Sequence, residues 1–178
     1  CGRPSSAPLC FRCLPPPFPS FPDDTRCRRC FSLVPLSTQT RLCQVCSLFP
    51  SLLSNIWYLW DYNGRARDLI VTTKYRPSLR LAKHLSECLA EAFCAERIVG
   101  EVDAFVAIPP SLSSLTRRSF HFGSLLALAL SRKTSRVIPF LPRAVIHQGY
   151  AAPQASLDHQ KRLTNVRNTF SVMQRMVA

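Results

Sequence analysis

Residues 27–46 read Cys-Arg-Arg-Cys-Phe-Ser-Leu-Val-Pro-Leu-Ser-Thr-Gln-Thr-Arg-Leu-Cys-Gln-Val-Cys. Two Cys-x-x-Cys pairs, Cys27/Cys30 and Cys43/Cys46, enclose a span of twelve residues. Each pair can present two thiolates to one small cation from a tight turn. Two pairs complete the tetrahedral four-cysteine set of a structural Zn2+. A third pair, Cys10/Cys13, lies thirteen residues upstream. Both spacings suit a zinc ribbon. Cys1 is a candidate last ligand of a further pair. A double ribbon would then place Cys1, Cys10 and Cys13 in one incomplete site, and Cys27, Cys30, Cys43 and Cys46 in the other. In the alternative, Cys1 is incidental.

The chain has 178 residues and nine cysteines. In an extracellular protein nine cysteines suggest a disulfide framework. Evenly repeated pairs suggest metal instead, and metal-bound thiolates belong in a reducing compartment, so a cytoplasmic location is expected. Cys88 and Cys94 fall on an expected helix without a partner motif and carry no chemistry in this reading. Residues 1–50 hold most of the 15 prolines and little apolar periodicity. Such a segment buries too little surface to fold without metal. The expected organisation is a zinc-ribbon module over 1–50 and a second domain over 56–178.

The net charge is +13, from 23 basic and 10 acidic residues. It favours polyanionic partners: nucleic acid, phosphorylated small molecules or anionic lipid. No apolar run approaches the roughly 20 residues of a membrane span, and no secretory signal is visible.

The second domain reads as α/β. Aromatic-rich residues 56–62 suggest a strand, 66–75 a short helix, and 79–97 an amphipathic helix with Leu79, Ala82, Leu85, Leu89, Ala92 and Phe93 on one stripe. A buried strand is expected at 102–108, ending at Pro109-Pro110. A polar loop at 111–119, a helix at 120–131 and a strand at 137–141 follow. Residues 142–160 read as a loop, and a basic segment runs from Lys161 to Phe170. The alternation implies parallel neighbours. No P-loop or Rossmann glycine fingerprint is present.

The order of motifs resembles the ComF/GntX family, bacterial proteins with a zinc ribbon and an amidophosphoribosyltransferase-like domain. The resemblance is carried by the Cys-x-x-Cys pairs, Asp61-Tyr62, Leu69-Ile70, Lys74-Tyr75, Ile108-Pro109-Pro110 and Arg117-Arg118-x-Phe120. It continues through Pro153-Gln154-x-x-Leu157 and Arg162-x-x-Asn165-Val166 to Phe170. It implies a type I phosphoribosyltransferase fold, a mostly parallel sheet binding phosphoribosyl pyrophosphate (PRPP) with Mg2+ at the strand ends. Lys74, Arg117 and Arg118 would meet phosphate oxygens. Gln154 would sit in a mobile loop, with Arg162 and Asn165 on the return into the sheet. Each also has a plain structural reading as a helix end, a solvated loop charge or a cap. The family further implies competence and DNA uptake, or nucleotide metabolism.

Two departures stand out. The family's Arg-Gly-Phe-Asn-Gln is replaced by Arg118-Ser119-Phe120-His121-Phe122, which removes a glycine and two amides. The paired carboxylates and Thr/Gly loop that hold PRPP are missing; the only adjacent acidic pair is Asp23-Asp24, in the metal module. The chain is therefore expected to be truncated, with an incomplete sheet and no phosphoribosyl transfer, PRPP and Mg2+ belonging to a full-length relative. The alternatives are non-catalytic. One is a ribbon binding single-stranded DNA through Arg12, Arg26, Arg28, Arg29 and Arg41. The other is a ribbon docking onto a larger assembly such as the competence machinery. No catalytic residue is assigned.

Overall fold

A computed structural model describes residues 8–10, 12–15, 25–27, 29–30, 32–35, 40–48, 56–94, 102–135, 137–148, 156–158, 161 and 164–173. Cys1, Arg28, Gln154 and Arg162, together with the end expected for the helix at 79–97, lie outside these residues. The chain divides into two compact units, one of residues 12–68 and one of residues 1–11 with 69–178.

The unit of residues 12–68 contains α1 (Gln44–Leu48) and the start of α2 (Gly64–Tyr75). Its buried cluster is Cys27, Val34 and Cys46, with Cys30, Leu42 and Cys43 packed against them. Two main-chain bonds, Cys27 N to Ser32 O (2.8 Å) and Val34 N to Thr25 O (2.9 Å), fold residues 25–34 back on themselves around an Arg26–Leu33 antiparallel bridge. Residues 56–62 form no strand, contrary to their aromatic-rich composition. Ile56 N bonds Arg29 O (3.0 Å), Leu59 is buried, and the Asn63 N to Asp61 O bond turns the chain towards α2. Of the aromatic side chains, Tyr58 meets the Cys-rich segment through Arg26, and Tyr62 is exposed.

In the other unit, Pro77 and Ser78 separate α2 from α3 (Leu79–Cys94). Ser78 accepts from Leu81 N through its hydroxyl and from Ala82 N through its carbonyl. Of the expected stripe on α3, Ala82 and Leu85 are buried, Leu89, Ala92 and Phe93 are half-buried and Leu79 is exposed, while Ser86 and Ala90 complete the buried face. This face packs along α5 (Phe122–Lys133), and Lys133 clamps the two helices by ion pairs to Glu87 (3.3 Å) and Glu91 (2.8 Å). Phe105, Ala127 and Ile138 form the core, and Phe93 meets Phe105 edge-on at 6.3 Å.

The two expected central strands shrink to one parallel bridge, Phe105–Phe140, made by Phe105 N to Pro139 O and Leu141 N to Phe105 O. Proline explains the shortness. Pro139 cannot donate to a ladder, and Pro109-Pro110 and Pro142 flank the paired residues. The sheet that forms among the described residues is antiparallel, β1 (Val145–His147) against β2 (Phe170–Val172), with Ile146 opposite Ser171.

Residues 111–119, expected to be a loop, hold α4 (Leu112–Arg118). Ser111 caps it, its hydroxyl accepting from Ser114 N at 3.3 Å, so a serine-rich stretch supplies a helix start. The helix ends at Ser119, which takes φ 58° and ψ 7° and donates its N–H to Leu115 O. A left-handed C-terminal position favours glycine. Ser119→Gly is expected to stabilise the protein by about 0.5–1 kcal/mol, after the extra chain entropy of glycine is offset. Thermal unfolding by circular dichroism checks this, and a lower Tm would contradict the strain.

Candidate metal centre

The Sγ atoms of Cys27, Cys30, Cys43 and Cys46 all lie within 4.8 Å of one another. Cys27 and Cys30 come from the turn closed by the Arg26–Leu33 bridge, Cys43 and Cys46 from the residue before α1 and from its first turn. Cys30 Sγ and Cys43 Sγ are 3.6 Å apart. A disulfide needs about 2.05 Å. Ligands of a tetrahedral thiolate site with metal–sulfur bonds of about 2.3 Å stand about 3.8 Å apart. The four thiols are close enough to hold a metal ion.

Their protonation is mutually opposed. Burial pushes Cys27 up, but donors from the Cys30, Cys43 and Arg29 main chain and from the Cys30 thiol outweigh it and bring Cys27 down to about 6. Cys30 is also lowered, burial being outweighed by Ser32 and by the Cys46 and Cys43 thiols. Cys46 is pushed up to about 12 by burial and by its neighbours Cys30, Cys43 and Cys27. The first thiolates are favoured and the last is resisted, as in any coupled set of acids. A divalent cation removes that resistance.

Two arginines beside the cluster, Arg26 and Arg29, make structural contacts. Arg29 donates to Cys46 O at 3.1 Å, tying the first turn to α1. Arg26 is 4% exposed, donates to the Tyr58 hydroxyl, and pairs with Asp61 at 3.4 Å. Sequence reasoning groups Arg26 with surface cations; only the aromatic stretch Tyr58-Leu59-Trp60-Asp61 hints at a partner. Cys10 and Cys13 are half-buried and stand outside the four-thiol cluster.

The expected phosphate ligands fall on two helices, α2 and α4. Lys74 is exposed at the end of α2. Arg117 and Arg118 occupy the last turn of α4, and Arg117 Nε bonds its own helix at Ser113 O (3.2 Å). Asn165 is half-buried before β2. An open concavity of about 1020 Å³ follows the Phe105 segment, lined in part by Pro110, Ser111, Leu115, Arg143, Ile146 and His147. Lys74, Arg117, Arg118 and Asn165 do not line it. Arg143 and His147 carry no motif by which sequence could single them out.

His121 caps α5, its Nδ1 accepting from Ser124 N at 3.3 Å. Burial, with the Arg118 charge, lowers its pKa. Among the described residues no helix is long and apolar enough to cross a membrane. No family model, curated protein or solved structure matches this chain.

Two outcomes follow from these contacts. Asp61→Asn leaves the Arg26 charge buried without its carboxylate and should destabilise residues 12–68 by about 2 kcal/mol, read as earlier proteolysis or lower Tm. His121, with a depressed folded pKa, contributes stability that is full above its unfolded pKa near 6.5 and is lost as pH falls through the folded value. His121→Asn, which keeps a capping side chain, should flatten that acid limb in urea titrations across pH 5–8.

Proposed function

We propose that Cys27, Cys30, Cys43 and Cys46 hold one structural Zn2+, and that the protein binds single-stranded nucleic acid through its basic surface without reacting on it. The observation that carries the proposal is the set of four Sγ atoms within 4.8 Å. Four soft thiolates in a tetrahedron suit Zn2+. With all four positions taken by cysteine, no place is left for a reacting water, so the role is structural. Metal binding supplies the folding energy that a core of Cys27, Val34 and Cys46 cannot. Such a site requires reduced thiols, which favours the cytoplasm. The charge of +13 favours a polyanion.

A second reading, favoured by the Phe105–Phe140 parallel bridge and the concavity beyond it, makes the unit of residues 69–178 a ComF/GntX-type phosphoribosyltransferase-like scaffold. Within these 178 residues Asp23-Asp24 is the only adjacent acidic pair. The reading therefore gives this chain the scaffold rather than the transfer of a phosphoribosyl group. Calorimetric binding of PRPP with Mg2+ would support it; a flat titration up to millimolar PRPP would remove it.

Purified protein should contain zinc by mass spectrometry, and Co2+ exchange should give the intense charge-transfer bands of a site made of four thiolates. Cys43→Ser should abolish those bands and melt residues 12–68, and a chelator should do the same to wild type. Binding to a fluorescent oligothymidine should weaken steeply between 50 and 200 mM salt. A protein that folds fully with no metal would overturn the zinc assignment.

A further inference from the structure

Arg26 and Arg29, beside the four-thiol cluster, are engaged in holding it together. A denser run of exposed cations lies in the other unit. From Leu69 to Ser86 the sequence carries Lys74, Arg76, Arg80 and Lys83 and no acidic residue. All four are exposed. Tyr75, between the first two, is 68% exposed at the end of α2. Pro77 and Ser78 then turn the chain into α3, whose first two turns bear Arg80 and Lys83.

We propose that this α2–α3 corner is the surface that contacts single-stranded nucleic acid, with Lys74, Arg76, Arg80 and Lys83 on phosphates and Tyr75 stacking on a base. The proposal rests on the nucleic-acid reading above and adds its location and mode. Three features carry it. First, Glu87 and Glu91, the acids further along the same helix, are engaged by Lys133 of α5. Second, α3 has no acidic residue in its first turn and carries Arg80 there. Third, a tyrosine exposed among cations matches the general design of single-strand binders, in which a basic track follows the backbone and an aromatic ring takes an unstacked base. Arg80 and Lys83 are separated by about 4.5 Å along the helix axis, close enough to serve neighbouring phosphates. Duplex DNA offers phosphates but no free base face, so the ring selects the single strand.

The test uses the full zinc-loaded chain and fluorescence anisotropy with a labelled oligothymidine of about 20 nucleotides, a length chosen to exceed a typical single-strand site. Replacing Lys74, Arg76, Arg80 and Lys83 by Gln should lower the magnitude of the salt slope by about 3. Tyr75→Ala should weaken binding roughly tenfold for the single strand while leaving duplex binding unchanged. A control replaces Arg67, Arg132, Lys161 and Arg167 by Gln, removing equal charge from other exposed positions, and should bind nearly as wild type. Circular dichroism melts establish that each variant is folded. Equal losses in both quadruple variants would overturn the location while leaving nucleic-acid binding standing. An unchanged Tyr75→Ala affinity would overturn the stacking mode. A wild type that fails to bind at 50 mM salt would overturn the nucleic-acid reading itself, and this surface with it.

Discussion

Four sulfur atoms within 4.8 Å cannot all be thiolates unless a cation shares their charge. The opposed shifts of Cys27 and Cys46 express that conflict inside the protein. Much of the order in residues 12–68 hangs from the same cluster. Arg29 ties its first turn to α1, Ile56 hangs from the Arg29 carbonyl, and Arg26 reaches Tyr58 and Asp61. With Cys27, Val34 and Cys46 as its buried cluster, this network has little hydrophobic energy behind it.

The unit of residues 69–178 is organised by different physics. A helix pair, α3 and α5, covers a small apolar core around Phe105 and Ile138, and ion pairs to Lys133 sit at its rim. Exposed pairs of this kind contribute little by themselves, so the pairing depends on the Ala82, Leu85 and Ala90 face. Proline interrupts the central segments, which leaves Val106, Ile108 and Val137 exposed beside the single bridge. An edge of that kind is open to pairing with another strand.

Legibility in the sequence followed the range of the interaction. The four-thiol cluster was readable because the two turns carry their cysteines at fixed local spacing, and α3 because its apolar pattern is periodic. The expectations that failed depended on distant partners or on short elements. Residues 56–62 have strand composition, yet Tyr58 and Asp61 are committed to Arg26, more than thirty residues earlier. Residues 111–119 have loop composition, yet Ser111 can cap a helix of seven residues. The burial of Arg26 has no local signature at all.

The turn between α4 and α5 is held by a capping contact on each side. At the position where the ComF/GntX pattern has glycine, Ser119 takes a left-handed conformation that its side chain disfavours. Its N–H bond to Leu115 O holds that shape from one side, and the His121 cap on Ser124 holds it from the other. The turn thus keeps a glycine-like path while the two amides of the pattern are replaced by His121 and Phe122. His121 spends its Nδ1 on the helix, and burial together with Arg118 disfavours its charged form. A neutral capping imidazole contributes shape and no positive charge to a phosphate. The path between α4 and α5 is therefore set by a main-chain bond and a capping imidazole rather than by charge, at a cost in local strain at Ser119.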